Sequence, residues 1–527
     1  MRKIFTLLPL TAALLLTGCV SLAPDYERPQ APVEEAWPQD EAVKNAKLLT
    51  EGLADWASFF TDARLKKLIE QGLAQNRSLR SAFYSVEEAR AQYGVSRAEL
   101  FPSVAAAAGE SAARSVSRMG SSINRTYSAT AMASYELDLF GRVRNLNEMA
   151  LQAFFQTQAA QRTVQMTVIT DIAQTWLALG ASKMQYKLAR ETLTSQEESY
   201  RLIVRSYELG ASSQLDVQQA AQTVAAAQAA AVQAERAVSQ YRNALQLLAG
   251  GTYDPALEPE GIETATVAAV SVAGNIPSEV LLNRPDIAQA EAVLRSANAN
   301  IGVARAAFFP SISLTGAFGG GSTQLSDLFD HATKIWSWAP QISLPIFTGG
   351  ANISNLRAAE ARQKSALADY EAAIQAAFKD VADALAMEGT VERELSARRD
   401  FAKAAAESYR LATDRYKNGA DSYLSVLDSQ RTNFSAQQAL ITAELSRAAS
   451  LITLYKAMGG ASELAEPEGE SKCRPRTKRP RQAAAVNPAA RKRSCSAVRK
   501  SCARLWRALS ERGFTTSPWP TSPAKTA

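Results

Sequence analysis

The chain has 527 residues, 46% of them apolar, more than one ordinary domain needs and enough for a large buried surface. Its single histidine, His331, and the lack of any Cys/His cluster argue against a zinc site or histidine acid–base chemistry. The net charge of +6 is a sum of unlike parts: from Pro467 onward 15 basic residues face 3 acidic ones, while the rest of the chain has a net charge of −6, so basicity gives no case for nucleic-acid binding. Cys19, Cys473, Cys495 and Cys502 leave the body of the chain without a disulfide framework.

At the front, Arg2 and Lys3 precede an apolar run from Ile4 to Leu16, the core of a signal peptide (residues 1–18) and too short for a membrane helix. Leu16-Thr17-Gly18-Cys19 resembles the lipobox of bacterial lipoproteins. The resemblance implies cleavage before Cys19, with S-diacylglycerol and N-palmitoyl chains on that residue as the only covalent additions. Buried methylenes anchor such chains at roughly 0.8 kcal/mol each. Val20 follows, not aspartate, which in lipoprotein sorting implies transfer to the outer membrane. No later stretch is apolar enough for a membrane helix, so any further crossing must use strands.

After the N-terminal segment 19–60 the chain is written twice, at a spacing of about 208 residues, as 61–260 and 261–460. Gly94 through Phe101-Pro102-Ser103 matches Gly302 through Phe309-Pro310-Ser311, Leu139-Phe140 matches Ile346-Phe347, and Tyr207-Glu208-Leu209-Gly210-Ala211 matches Tyr416-Lys417-Asn418-Gly419-Ala420. Each unit reads helix, strand, strand, long helix, tip, helix. Strands are expected at ~103–114, ~126–138, ~310–320 and ~336–347, close to the length of a membrane strand. In the second copy Ile312, Leu314, Gly316 and Phe318 alternate with Ser311, Ser313, Thr315 and Ala317; the return is Trp336, Trp338, Ile342, Leu344 and Ile346 against Ser337, Ala339, Gln341 and Ser343. In the first, Tyr127, Ala129, Ala131, Tyr135 and Leu137 alternate with Ser128, Thr130, Ser134 and Glu136. Met119-Gly120-Ser121-Ser122 and Gly319-Gly320-Gly321 are expected to turn the chain between strands. Alternation alone also fits a soluble hairpin packed on a core.

No proline lies between Pro102 and Pro255 or between Pro345 and Pro467. Helices over ~142–209 and ~351–417 would each run ~100 Å at 1.5 Å per residue, with Gly180 and Gly389 as sites of local irregularity. The return helix carries a three–four seam of Val217, Ala220, Val224, Ala227, Ala231, Ala234, Val238, Tyr241, Leu245 and Leu248, the pattern of a coiled coil with close backbones. A soluble antiparallel coiled coil would explain this seam but not the strands. Four strands per chain cannot close in lipid, where each unpaired backbone group costs several kcal/mol. Two chains would pool 8 strands and three would pool 12; an eight-stranded barrel is filled by side chains, so a duct favours three or more.

Cys19, Phe59-Phe60-Thr61-Asp62, Glu136-Leu137-Asp138-Leu139-Phe140-Gly141, Arg284-Pro285-Asp286-Ile287, Ala304 through Leu314 and Leu344-Pro345-Ile346-Phe347 resemble the TolC superfamily of outer-membrane efflux proteins, nearest its lipidated OprM-type branch. The resemblance covers residues ~16–460. It implies a mainly α homotrimer with a 12-stranded outer-membrane β-barrel, four strands per chain, continued by an α-helical coiled-coil periplasmic barrel. It implies as partners a periplasmic adaptor, an inner-membrane resistance–nodulation–division (RND) pump and outer-membrane lipid, with multidrug efflux as the work and no catalysis. Ducts for type I protein secretion or metal export, or a trimeric structural surface lipoprotein, are the alternatives.

The tips at ~207–216 and ~416–428, with Gly210 and Gly419 at their turns, match the family's periplasmic gate. By that match Asp216 and Asp428 fall on gate positions, Tyr207 and Tyr416 on neighbouring aromatic positions, and Asp421 where some members carry a latch arginine. That latch pair is then absent, and another contact must hold the closed state. Carboxylate rings would make the closed pore prefer cations; helix capping is the plainer use of both aspartates. The last segment, 461–527, is basic and rich in Pro, Ser and Ala, a composition that predicts disorder. A shifted reading frame or an unusual extension would explain it, and no role is assigned.

Overall fold

Long proline-free stretches become single helices, and glycine and proline set their ends. The computed structural model describes residues 21–34, 37, 56–117, 120–262, 281–282 and 284–460. All lie within one structural unit, Met1–Leu464. The expected signal peptide, Cys19 and the basic tail are outside the described residues.

A single turn, Trp56–Phe59, leads into the first repeat: α1 (Ala63–Gln75), α2 (Arg77–Ala98), β1 (Ser103–Ser117), β2 (Gly120–Leu137), α3 (Arg142–Glu208) and α4 (Gln214–Leu248). The second repeat supplies α5 (Pro285–Ala306), β3 (Ser311–Ser322), β4 (Lys334–Ser343), α6 (Ala351–Lys417) and α7 (Tyr423–Ala457). The duplication is metrical: α2 and α5 each have 22 residues, α3 and α6 each 67, α4 and α7 each 35. Gly180 and Gly389 do not interrupt α3 and α6. A Cβ at Gly180 would collide with the carbonyl of Gly261, so this glycine admits a crossing segment. Along α4, Val217, Ala220, Ala227, Ala231, Val238 and Leu245 are buried as the seam requires, whereas Tyr241 is 39% exposed and departs from it.

The four strands form one antiparallel sheet in the order β1-β2-β3-β4, so the β2–β3 pairing joins the two repeats. The register places Val104, Ala106 and Ala108 on one face with Ala131, Tyr135 and Leu137 of β2. Ile312, Leu314 and Phe318 follow on β3, and Trp336, Trp338 and Ile342 on β4. The opposite face carries serine, threonine and Gln341 across the four strands, with Met132 and Ile335 among them. One side therefore suits lipid and the other water. Glu110 and Arg125 interrupt the apolar face, 3.9 Å apart, toward the β1–β2 turn, where the 15- and 18-residue strands outrun the 9–11 residues that cross a bilayer.

Three expectations about the strands are corrected. Gly120, Ser121 and Ser122 are not turn residues but extend β2 opposite Ser117, Val116 and Ser115, and Met119 of the expected turn lies outside the described residues. Gly319, Gly320 and Gly321 are not a turn but part of β3, paired with Thr130, Ala129 and Ser128. A Cβ at Gly319 would strike the Ala129 carbonyl, and one at Gly320 the Leu328 carbonyl, so the glycines serve close approach. β4 ends at Ser343, short of ~347; Pro345, which has no N–H to donate, follows at once.

The core lies where the helices cross between sheet and tips. Phe59 and Phe60 are buried with Leu65, Leu68, Ile172 and Trp176. Phe59 also stacks on Tyr455 of α7, centroids 4.2 Å apart. Asp62 caps α1 by accepting from the Arg64 and Leu65 amides at 2.7 and 3.3 Å. Arg284, itself buried, donates to the Ala457 carbonyl at the end of α7 and pairs with Asp286 at 2.7 Å. Trp176 has no exposed surface, and its indole N–H donates to the Leu257 carbonyl at 2.9 Å. We expect Trp176→Ala to cost about 3–5 kcal/mol of stability, as large-to-small core changes do. A thermal unfolding midpoint by circular dichroism equal to wild type would show that this core does not hold the repeats together.

Candidate functional site: the paired helix tips

Each long helix ends by the same mechanism. Gly210 and Gly419 have φ of +76° and +71°, values open to glycine at little cost. At the first tip Gly210 N–H donates to Tyr207 O and Ala211 N–H to Ser206 O; at the second Gly419 N–H donates to Tyr416 O and Ala420 N–H to Arg415 O, all at 2.9 Å. These paired bonds satisfy carbonyls that a helix end leaves open.

The helices that leave the tips begin differently. Ser213 and Asp216 form a capping box at the start of α4: the Asp216 amide donates to Ser213 Oγ at 3.2 Å and the Ser213 amide to Asp216 Oδ2 at 2.9 Å. Asp216, offered by the sequence as gate or cap, thus makes the cap. At α7 the N-cap Ser422 makes no side-chain capping bond. Asp421 takes over: its Oδ1 accepts from the Ser422 amide at 2.8 Å and from Ser425 Oγ at 2.9 Å, and its Oδ2 lies 3.3 Å from Arg415 Nε. Donation from Ser425, then the Ser422 amide and Arg415, holds the Asp421 carboxyl below the usual carboxylate range. Asp428 is exposed, and among the described residues its carboxylate has no hydrogen bond or ion pair.

An apolar cluster binds the tips of one protomer together. Ile203, Val217 and Ala220 come from the first repeat, and Ala412, Tyr423, Val426 and Leu427 from the second. Tyr416 lies at its margin with its ring centroid 5.5 Å from that of Tyr423, whereas Tyr207 is 44% exposed and stands apart. Burial, then the neighbouring Tyr416 and Tyr409, pushes the Tyr423 hydroxyl up to about 12. Sequence reasoning missed Tyr423 and the Arg415–Asp421 pair. The only trace of Tyr423 is that the first repeat has Gln214 at the matching place after its N-cap serine.

Among the described residues no group of three or more His, Cys, Asp or Glu could hold a metal. No described helix is long and apolar enough to cross a membrane. The site is a pair of turns with carboxylates and tyrosines at the far end of helices ~100 Å long that grow from a sheet with one apolar face.

A family model described as outer membrane efflux protein matches residues 68–251 and 276–460, the two repeats. The chain belongs to the outer membrane efflux protein family. It is 42% identical over 455 residues to the probable efflux pump outer membrane protein TtgC of Pseudomonas putida, covering 85% of this chain and 94% of that one. It is 40% identical over 467 residues to the outer membrane protein OprJ of Pseudomonas aeruginosa, covering 87% and 97%. Among solved structures, CusC superposes with a TM-score of 0.76 at 36% identity, over 84% of this chain and all of that one. The open state of the Neisseria gonorrhoeae MtrE channel gives 0.73 at 37%, over 84% and 99%. The fold is that of the TolC-like outer-membrane channels, a helical barrel joined to a β domain, and the protein is the outer-membrane channel of an RND-type efflux system.

Because Asp421 titrates below its ordinary value, its bonds are present above the unfolded carboxylate pKa of about 3.9 and are lost as pH falls through the lower folded value. We expect Asp421→Asn to speed amide exchange in the first turn of α7 at neutral pH. Mutant and wild type should converge only as pH falls through the lowered folded value, once intrinsic rates are corrected. Identical exchange at pH 7 would remove Asp421 as the cap of this tip.

Proposed function

We propose that three copies of this chain close one 12-stranded barrel in the outer membrane of a Gram-negative bacterium and continue it as a helical tube through the periplasm. The carrying observation is the four-stranded sheet with one apolar face and two edges unpaired among the described residues, mounted on a duplicated set of 67-residue helices. Three copies make a barrel wide enough for water, where two would give one filled by side chains. The tube is the exit duct of a tripartite multidrug system, receiving cargo from an inner-membrane RND pump through a periplasmic adaptor. Relatives are named for antibiotics, toluene and solvents; for this chain we propose the same class of small amphiphilic molecules. The duct passes cargo and catalyses nothing.

A lipid anchor at Cys19 is part of this reading. Residues 22–28 run along α5: Arg305 donates to the Leu22 carbonyl at 3.1 Å, Asn298 to the Pro24 carbonyl at 2.7 Å, and Arg28 pairs with Glu291 at 2.7 Å. Since α5 ascends toward β3, this strap puts Ser21, two residues after Cys19, at the end nearest the sheet. Acyl chains on Cys19 would there meet the membrane surface.

The tips are the gate. Asp428 presents a free carboxylate, Asp216 both caps its helix and adds charge, the Arg415–Asp421 pair with the Tyr416–Tyr423 contact braces the second tip, and the apolar cluster around Tyr423 holds the two tips of one protomer in place of a latch arginine. Tyr207, outside the cluster, is left to meet a neighbouring copy. Opening requires partner contacts that are stronger in the splayed state.

In planar bilayers we expect small, cation-selective currents from the wild type, growing and losing selectivity in Asp428→Ala; Asp216→Ala should add the loss of a helix cap. Membrane-inserted assemblies that carry no current would sink the duct reading. Separately, Cys19→Ser should abolish palmitate incorporation while the chain still reaches the periplasm; unchanged labelling would place the lipid elsewhere.

A further inference from the structure

Phe140 and Phe309 stack with ring centroids 4.7 Å apart and planes 23° from parallel. Their place is set by the sheet. Leu137 of β2 lies opposite Ile312 of β3, the last pair of that register; Phe140 comes three residues after one and Phe309 three residues before the other. The stack closes the junction between the repeats where one strand leaves the sheet and the next enters.

The duplication supplies a second set of the same two groups. Phe101 precedes Ser103 as Phe309 precedes Ser311, and Phe347 follows Leu344-Pro345-Ile346 as Phe140 follows Leu137-Asp138-Leu139. Within the chain these rings do not meet, because β1 and β4 are the outer strands of the sheet. Phe101 is 63% exposed and Phe347 89%. Beside Phe101 a cleft of about 540 Å³ opens, lined in one part by Val95, Val143 and Leu146 and in another by Glu99, Glu136 and Arg142. Ile346, beside Phe347, is 94% exposed.

We propose that Phe347 of one copy stacks on Phe101 of the next, repeating between chains the Phe140–Phe309 contact made within each. The inference rests on the reading that several copies share one barrel. It also fixes the register at which they join. Continuing the pairing from the two rings along the strands places Leu344 opposite Val104 and Ile342 opposite Ala106. Ile342 on β4 and Val104 and Ala106 on β1 belong to the apolar face, and Leu344, just past the end of β4, continues its even-numbered series. A slip of one residue would turn a serine-bearing face to lipid. The aromatic match and the face match are separate observations and agree. The contact is head-to-tail, with unlike surfaces meeting, which is the kind that a cyclic assembly repeats until it closes.

The test is a Phe101→Cys/Phe347→Cys variant of the full chain in which Cys473, Cys495 and Cys502 are serine and Cys19 is kept for its lipid. Outer membranes are treated with a bismaleimide whose arm spans a stacked ring pair. Most chains should run as covalent dimers and trimers on a denaturing gel, and neither single-cysteine variant should do so. Native mass spectrometry of the same variant reports assembly independently. Assembled oligomers without covalent linkage would overturn the contact and leave the barrel reading standing. A wild type that is monomeric in lipid would overturn both. If the double variant fails to assemble, p-benzoylphenylalanine at Phe347 alone reads the same contact. A photoadduct on residues 95–103 of another copy supports the proposal, and one mapped elsewhere contradicts it.

Discussion

The unpaired outer edges of β1 and β4 are the constraint on which the rest of the structure depends. In lipid no water compensates a strand edge, so open sheets do not persist there and only closed barrels span as strands. Four strands are too few to close on themselves with a lumen. The apolar face, with Phe318, Trp336 and Trp338 exposed, belongs in a membrane, and the edges forbid it to be there alone. Assembly is therefore a condition of insertion rather than a later elaboration.

Duplication answers this constraint economically. One hairpin and its helical leg, written twice, give two staves per chain that meet at β2–β3 inside the molecule and leave matching edges outside. Because both legs have 67 residues, the tips reach the same distance from the sheet. Alanine along the α4 seam lets the helices of each leg pack closely, and the tip cluster around Tyr423 ties the two legs of a protomer together at the far end. Asp216 caps, Asp421 caps and pairs, and Asp428 stays free, so the tip carries negative charge without burying it.

The helices were legible almost to the residue because their punctuation is local: Gly141 and Gly350 open them, Gly210 and Gly419 end them, and no proline intervenes. Strand bounds were less so. Gly120 and Gly319-Gly320-Gly321 read as turns, yet they sit in strands; Gly120 has open space around it and a φ of +130°, whereas at Gly319 and Gly320 a backbone carbonyl approaches too closely for a Cβ, and that neighbour is not adjacent in sequence. The same holds for Gly180. Asp216 takes the capping use that stood beside its gate reading, through a Ser213-x-x-Asp216 pattern that the sequence reading did not single out, whereas Asp428, offered the same alternative, makes no cap. Tyr423, the Arg415–Asp421 pair and the strap over α5 have no periodic signature; the pair depends on the geometry of one turn, and the burial of Tyr423 and the strap exist only once distant segments are brought together. Tyr241 shows the converse, a residue on the seam by spacing that the fold leaves exposed.

The most direct test of this account is to count the chains and strands that close the barrel, by electron cryomicroscopy of the full-length protein in lipid nanodiscs. Three chains contributing twelve strands around an open lumen, with β4 of each paired to β1 of the next, is the result the account predicts. A sheet that stays open in one chain, or a barrel closed by two chains and filled with side chains, would contradict it.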